Sequence, residues 1–407
     1  MTVKRTSILL MCIMLCVVAL DNFFSIGTPI NNTYLFLGAF IASFVLCIAY
    51  WQNEMLIIAH KFTFVKIYII LAIVSYLAVF LNSLIKYPAQ DVNSTINSSY
   101  SYLALLLVYP ILVFLLRRGE TQSIYKVLDV FSVIIYILVL IQLLLSETNG
   151  RLIMLESAVR IRNGKLRIGL HFYGNLMILY NFYNIYYKKN RSVYRYLLLI
   201  VGIFELVIIQ QTRAYTMVIA AGLFLLVLLQ KDTKRTLFKK SIIVFLALVV
   251  ISQTHVVSSL LQSLTINGSE AGSTISRQYS FEYYWSQFMT NFPFGMCFPN
   301  SDKYYSILHH QVGYYTTYVD DVGIVGQIGI WGLFIIPIFI APMMRWITIL
   351  RNFKRKKRYE DFAWYTTIFA YLLITSITLI VLDSYRIMML PIFLGLVEYE
   401  NYRINHS

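Results

Sequence analysis

The chain has 407 residues, of which 58% are hydrophobic and only 13% are charged, and its formal net charge at pH 7 is +15. Soluble globular domains usually carry about 25% charged residues, so this composition excludes an ordinary soluble enzyme or binding domain. The positive charge does not indicate a nucleic-acid partner, because lysine and arginine accumulate in the cytoplasmic connections of membrane proteins.

The apolar residues are grouped in runs of about 18–22, the length at which a helix crosses the roughly 30 Å hydrocarbon core of a bilayer. Only helices and closed barrels satisfy their backbone hydrogen bonds in lipid, so continuous apolar runs predict an all-α, polytopic membrane protein. The N-terminal run has a basic start but continues through DNFFSIG without a small-residue cleavage site. We therefore interpret it as a retained first span and not as a signal peptide.

We predict about twelve transmembrane segments. In chain order they cover residues 7–27, 33–50, 64–85, 100–116, 127–146, 168–187, 193–210, 214–230, 241–258, 320–343, 362–382 and 385–398. The whole chain, residues 1–407, is then a single transmembrane domain without an apparent internal repeat.

The basic residues are divided unevenly between the two sides that these segments define. If the N-terminus is cytoplasmic, 24 of the 34 lysines and arginines lie on the cytoplasmic side, mainly in residues 188–195, 231–240 and 345–361. Because basic connections stay in the cytoplasm, this bias predicts that both termini are cytoplasmic and that the number of spans is even.

Two connections on the outer side are long. Residues 147–167 form a basic loop, and residues 259–319, between the ninth and tenth spans, form a large extracytoplasmic loop rich in Tyr, Ser, Asn and Gly. A connection of about 60 residues is expected to have structure of its own and often carries function. Within it, FEYYWSQFMTNF has aromatic residues at helical spacings, which predicts a helix lying at the membrane interface. An aromatic belt at the headgroup level is a compatible interpretation.

The outer arginines are the main candidates for a binding site. Arg213 lies in the short turn QQTRAYT between the seventh and eighth spans, where little chain is available to carry it into water. A guanidinium stays charged and donates two parallel hydrogen bonds, which suits a phosphate oxyanion. Snorkelling towards outer headgroups is the alternative for each arginine. The pattern predicts an outward-facing site for an anionic lipid headgroup. Further arginines on the same predicted side are Arg160, Arg162, Arg167 and Arg386.

The order of features in the second half of the chain resembles a known family. The arginine-bearing turn, QQTRAYTMVIAAGLFLLVLL, is followed by a basic cytoplasmic loop and one more span. A large outer loop comes next, with Arg277, Trp285 and NFPFG, and DDVGIVGQIGIWGLF then enters the following span. Over roughly residues 165–345 this order is similar to the Wzy-type repeat-unit polymerases of O-antigen and capsular polysaccharide, and to the related O-antigen ligases. The first half agrees only in hydropathy.

The resemblance implies a metal-independent glycosyltransferase of the bacterial cytoplasmic membrane that needs no cofactor. Its substrate is expected to be an oligosaccharide linked to undecaprenyl diphosphate, and the growing glycan is transferred to the next lipid-linked repeat unit on the outer face. Membrane lipid, a chain-length regulator and a flippase of the same pathway are the implied partners, and no nucleic acid is expected.

Three alternatives stay open on the sequence alone. One is a ligase of the same superfamily, which moves finished glycan to another acceptor with the same arginines. Another is a lipid-linked oligosaccharide flippase or other transporter, although transporters commonly show internal repeats that are not apparent here. The third is a non-catalytic scaffold for a glycan assembly complex, which does not need an arginine in a tight turn.

The resemblance also assigns roles to individual arginines. Arg213 corresponds to the turn arginine of the family and Arg277 to the arginine of its large loop. Both are expected to bind the diphosphate, whose charge rises as the sugar–oxygen bond breaks and is stabilised most by fixed guanidinium groups at the transition state. Arg160, Arg162 and Arg167 have the same predicted side and charge, without a motif that aligns.

The acceptor hydroxyl needs a base. In the ligases a histidine of the large loop precedes the next span, and here His309 and His310 stand at a longer spacing. Asp320 and Asp321, at the start of the tenth span, are rival candidates. Asp321 alternatively caps or orients the DVGIVG segment, whose glycines permit close helix packing. Glu205, a carboxyl within the seventh span, is either functional or paired with a neighbouring helix.

Overall fold

A computed structural model describes most of the chain, namely residues 2–20, 32–148, 159–162, 165–168, 172–210, 213–230, 271–378, 382–383 and 386–406. Within these ranges the chain is predominantly helical, which confirms the prediction of a helical membrane protein. Five helical segments are long and apolar enough to cross a membrane, or six if one bent pair is a single span. The count of twelve spans stays a prediction, and its ninth member, residues 241–258, lies outside the described residues.

The first half of the chain forms helices that run between the two ends of a bundle. They are α1 (Thr2–Leu20), α2 (Asn32–Tyr50), α3 (Gln52–Lys61), α4 (Thr63–Lys86), α5 (Val92–Ser99), α6 (Val108–Arg118) and α7 (Gln122–Thr148). A 3-10 helix, Tyr100–Leu107, joins α5 to α6 into one segment, which is 67% buried over its apolar window, whereas the other four long segments are 22–39% buried. This segment therefore lies at the centre of the bundle.

The second half continues the bundle. Its helices are α8 (Phe172–Tyr186), α9 (Val193–Phe204), α10 (Arg213–Leu229), α11 (Ala271–Thr290), α12 (Tyr305–Leu308), α13 (Gly323–Trp331), α14 (Ala341–Arg355), α15 (Tyr359–Thr378) and α16 (Met389–His406). A π-helical turn, Glu205–Gln210, extends α9, and α16 packs against α6 and α14 with residues Met389–Glu400 all buried. The last helix is thus a core element and not a peripheral one.

Two short antiparallel hairpins make the all-α prediction incomplete. Strand β1 (Val159–Arg162) pairs with β2 (Lys165–Ile168), and β3 (Gln311–Val312) pairs with β4 (Tyr315–Thr316). Both lie in connections that we expected to be loops. The first has a recognisable sequence signal, because VRIRNGKLRI alternates apolar and basic residues around Asn-Gly, a pair that favours two-residue hairpin turns.

The predicted tenth span, residues 320–343, is wrong as a single helix. The segment Gly323–Phe334 is bent by 113° from the segment Ile336–Arg355. Gly332 lies at the break with a φ of +57°, in the left-handed region that glycine adopts without a steric cost. The longer helical segment therefore begins near Ile336, and much of the predicted cytoplasmic connection 345–361 is helical.

The large outer loop contains the helix that its aromatic residues predict. Helix α11 covers FEYYWSQFMT and packs along α13, although its position at a membrane interface stays a prediction. The chain that follows, residues 291–300, lies between α13 and the end of α4. The Met296 N–H donates to the Gly329 carbonyl at 2.7 Å, and the Ser83 hydroxyl donates to the Phe298 carbonyl at 3.0 Å. These contacts hold the C-terminal end of α13 on the bundle.

The two ends of the bundle differ in charge. The connections α8–α9 and α14–α15 carry a dense group of cations, and we call this the basic end; its members include Lys188, Lys189, Arg191, Lys354, Arg355, Lys356, Lys357 and Arg358. Helix α15 leaves the basic end and reaches the opposite end near Thr378. Helix α16 begins at this opposite end, so Asp383 and Arg386, which precede it, lie far from the basic end.

Candidate functional site

The opposite end of the bundle holds a cluster of Asp320, Asp383 and Arg386, which we call the Asp–Arg cluster. The Nη2 atom of Arg386 donates to Oδ2 of Asp383 at 2.7 Å, and both groups act electrostatically on Asp320. The side chains of Asp383 and Arg386 are only 6% and 14% exposed, respectively. The pair is thus largely withdrawn from bulk solvent, where its charges act more strongly on their neighbours.

Close backbone packing brings Asp320 to this pair. Asp320 belongs to the 3-10 turn Val319–Asp321, immediately before α13. Gly323, the first residue of α13, has a φ of +51° and lies directly against the carbonyl groups of Ser376 and Ile377 near the end of α15. A Cβ atom has no room there, so glycine is required, and the prediction that glycines of this segment permit close packing is confirmed.

The charge state of Asp320 is unusual for an aspartate. Its side chain is accessible to solvent at the edge of the buried Asp383–Arg386 pair. Desolvation by the surrounding protein is the main cause that raises the pKa of Asp320 to about 7; the Asp383 carboxylate acts in the same direction and the Arg386 guanidinium in the opposite one. A carboxylate with a pKa near neutrality is suited to accept a proton from a substrate.

Arg386 has a hydrogen-bonding edge that the pair with Asp383 does not use. Its Nη1 atom is buried and has no hydrogen-bond partner among the described residues. The phenols of Tyr215 on α10 and Tyr371 on α15 are its electrostatic neighbours, and within the same ranges the Tyr371 hydroxyl also lacks a partner. A buried donor without an acceptor costs roughly 1–3 kcal/mol, so an anionic ligand that accepts from Nη1 is favoured here.

The β1–β2 hairpin adds a second group of cations. The register pairs Arg160 with Arg167 and Arg162 with Lys165. Because cross-strand partners and alternate residues of a strand share a face, all four basic positions lie on one face of the hairpin. The other face carries the apolar positions Val159, Ile161, Leu166 and Ile168.

Residues 205–210 and Tyr215 contact the β1–β2 hairpin and the Asp–Arg cluster, respectively. Strand β2 packs against the π-helical turn Glu205–Gln210, which leads to Arg213, the first residue of α10. Tyr215 on the same helix is a neighbour of Arg386. The hairpin thus contacts the turn that precedes Arg213, and the helix that starts at Arg213 contacts the cluster through Tyr215. The side chains of Arg160, Arg162 and Arg213 themselves lie outside the described part of the structure.

The structure gives the predicted histidines aromatic neighbours. The ring of His310 stacks on Tyr283 with 4.6 Å between centroids, and His309 lies against Tyr305 and Tyr318. Neither imidazole forms a hydrogen bond with a carboxylate in the described ranges. Arg277 is exposed on α11 and forms no ion pair with any described residue. Of the four predicted base candidates, Asp320 is therefore the one with charged neighbours at the cluster.

Asp321 and Glu205 have different surroundings from those we expected. The capping role of Asp321 is wrong, because Val322 is the N-cap of α13 and no side chain accepts a hydrogen bond there. Glu205 is fully buried, and neither carboxyl oxygen has a hydrogen-bond partner among the described residues. Of its two predicted alternatives, pairing with a neighbouring helix is thus not found in that part of the chain, and the phenol of Tyr136 is its electrostatic neighbour.

The sequence placed Arg386 among the outer arginines but gave neither Arg386 nor Asp383 a specific role at the site. The available signal was an arginine three residues after an aspartate in the last outer connection. That spacing predicts a local ion pair but does not reveal that Asp320 joins it. No model of a known protein family matches the chain, and no curated protein matches it either. The function is therefore inferred from the residues and contacts at this end of the bundle.

Proposed function

We propose that this protein is a bacterial membrane glycosyltransferase that polymerises lipid-linked repeat units, and that the Asp–Arg cluster is its reaction centre. The observation that carries the proposal is a carboxylate of raised pKa, Asp320, beside a buried arginine with an unused donor, Arg386. A base and a fixed cation are the two groups that glycosyl transfer from a lipid diphosphate needs. The order of sequence features that resembles the Wzy-type polymerases supports the same function.

In this reaction Arg386 donates from Nη1 to the diphosphate of the lipid donor. Asp320 accepts the proton of the acceptor hydroxyl as its oxygen bonds to the anomeric carbon. The bond between that carbon and the phosphate oxygen breaks, and undecaprenyl diphosphate leaves with the electron pair. Arg213, Arg277 and the hairpin arginines hold the same headgroup or guide its approach, because their charges lie on connections of the same predicted side.

The positive-inside rule assigns the basic end to the cytoplasm and the Asp–Arg cluster to the outer face of the bacterial cytoplasmic membrane. On this topology both termini are cytoplasmic. The growing chain stays outside, where lipid-linked repeat units arrive from a flippase and where a chain-length regulator has access to the product.

A deletion strain complemented with variants tests the proposal. The deletion is expected to display single repeat units, and wild-type protein to restore long chains on a polysaccharide gel. Asp320→Asn and Arg386→Ala should each leave single units at normal protein level, and Arg386→Lys should restore little, because an ammonium does not reproduce the planar donor set. A normal long-chain ladder with Asp320→Asn would refute the assignment.

Transport of a lipid-linked oligosaccharide is the second candidate, and Glu205 favours it. An ionisable residue within a membrane bundle often marks a substrate or proton pathway, and this carboxyl is fully buried without a hydrogen-bond partner in the described ranges. A transporter predicts that the deletion traps repeat units on the cytoplasmic leaflet and that Glu205→Gln has the same effect. Single units on the cell surface contradict this function and agree with a polymerase.

A further inference from the structure

A cavity of about 560 Å³ opens at the basic end, away from the proposed reaction centre. It lies where the α8–α9 connection, the α14–α15 connection and the end of α10 meet. Two tyrosines, Tyr187 and Tyr359, contribute to its wall, and its charged lining consists of Lys188, Lys189, Lys357, Arg358, Glu360 and Asp361. The lining therefore carries four cations and two anions.

Internal ion pairs neutralise only half of these cations. Lys188 Nζ lies 2.6 Å from Glu360 Oε2, and Arg358 Nη2 lies 2.8 Å from Asp361 Oδ2. Lys189 and Lys357 form no ion pair with any residue that the structure describes. The cavity thus keeps two positive charges, one from each connection, that no described side chain balances.

The backbone at these two lysines is the second observation. Lys189 has a φ of +54° and Lys357 a φ of +58°, and they are two of the three non-glycine residues with positive φ in the described ranges. Each lies in a turn that ends a helix, where glycine is the usual residue because a side chain is disfavoured. Capping the helix does not require lysine at either position, so glycine can replace each lysine without backbone strain.

We propose that this cavity binds a phosphate group, supplied either by an anionic phospholipid headgroup or by a soluble phosphate. Two lysines on separate connections line the same cavity, and helix α15 begins there, so its N-terminal dipole adds to the positive potential. Basic pockets at the cytoplasmic side of membrane helices are suited to lipid phosphates. The site is independent of the function proposed for the opposite end.

The double variant Lys189→Gly/Lys357→Gly removes both ammonium groups and places glycine where the backbone favours it. Folding is therefore retained, and without ligand its melting temperature should equal or exceed that of the wild type. The matched control is Lys61→Gln/Lys126→Gln, which lowers the net charge by the same amount at exposed positions outside the cavity. Each full-length protein is purified in neutral detergent.

Melting temperature is then measured against phosphatidylglycerol, phosphatidylcholine and inorganic phosphate, with sodium chloride at matched ionic strength. We expect phosphatidylglycerol to stabilise the wild type and the control more than phosphatidylcholine does. The apparent Kd for phosphatidylglycerol should be about 30-fold higher in the glycine variant than in the wild type. Each basic residue near an anionic headgroup increases the affinity about fivefold, and the variant lacks two. A response to inorganic phosphate that the glycine variant loses supports a soluble ligand at the same site. Equal responses of the three proteins, or none above salt, overturn the proposal.

Discussion

Arg386 and Asp383 form an ion pair three residues apart, with 2.7 Å between Nη2 and Oδ2, and this pair faces Asp320 across the end of the bundle. The cluster is neutral when Asp320 is protonated and has a charge of −1 when it is ionised. An anion that accepts from Arg386 opposes the ionised form of Asp320. Increasing negative charge on a leaving diphosphate therefore makes Asp320 a stronger base in the proposed transfer, which couples proton acceptance to bond cleavage.

The first prediction compares two adjacent aspartates. Asp320→Asn should lower the rate of glycan polymerisation in membrane vesicles by about 100-fold or more, as expected for loss of a general base. Asp321→Asn is the matched control, because it makes the same change at the next residue and should keep a rate close to that of the wild type. A similar loss in both variants would show that Asp320 has no special role.

The second prediction concerns the pH dependence of the same rate. The proposed mechanism needs ionised Asp320, so the rate should fall as the pH decreases through the raised pKa of this group, about 7. Asp383→Asn removes a negative neighbour, lowers the pKa of Asp320 and should shift the half-maximal pH down by about one unit. Arg386→Gln removes the positive neighbour and should shift the half-maximal pH of its residual rate upwards. Shifts in the same direction would contradict the cluster.

Much of the fold is predictable because a long apolar run in the sequence is sufficient to identify a helix that spans a bilayer. Five of the predicted apolar segments are found as long apolar helical segments, since a run of apolar residues needs no knowledge of its neighbours to become helical in a bilayer. The bend at Gly332 was not predicted, because the apolar run continues through this residue. Hydropathy carries no information on the positive φ that ends the helix there. The β1–β2 hairpin was missed although Asn-Gly and the alternating pattern were visible in the sequence.

The candidate site was less predictable, because it depends on contacts between distant parts of the chain. Asp320 was one of four base candidates in the sequence, and only the packing of Gly323 against the end of α15 places it beside Asp383. Position in the sequence likewise did not distinguish Arg386 from the other outer arginines. Its buried Nη1 atom and its tyrosine neighbours distinguish it, and neither is a property of local sequence.

The third prediction contrasts two ion pairs of equal length. Arg345 Nε and Lys188 Nζ each lie 2.6 Å from a glutamate oxygen, but Glu398 is 2% exposed whereas Glu360 is 54% exposed. Glu398→Gln leaves a partly buried guanidinium without its counter-charge and should destabilise the protein by about 3 kcal/mol. Glu360→Gln should cost less than about 1 kcal/mol, because solvent screens an exposed pair. Thermal unfolding in detergent checks both, and equal losses would contradict the role of burial.

The fourth prediction tests how the segment 291–300 positions α13. Gly295 has a φ of +70°, and a Cβ atom there would lie 2.5 Å from the Gly329 carbonyl oxygen. Gly295→Ala should therefore loosen this contact and destabilise the protein by about 2 kcal/mol. Gly38→Ala is the control, because nothing lies within 4 Å of its added Cβ and alanine suits a helix interior.

The readout for this fourth test is the reactivity of Cys297, which is buried beside the Asn82 amide at 3.0 Å. Maleimide labelling of Cys297, quantified by peptide mass spectrometry, should increase in Gly295→Ala and stay at the wild-type level in Gly38→Ala. Because Asp320 lies three residues before Gly323, the first residue of α13, a displaced α13 should also lower polymerisation activity. Unchanged labelling together with unchanged melting temperature would mean that this segment does not hold α13 in place.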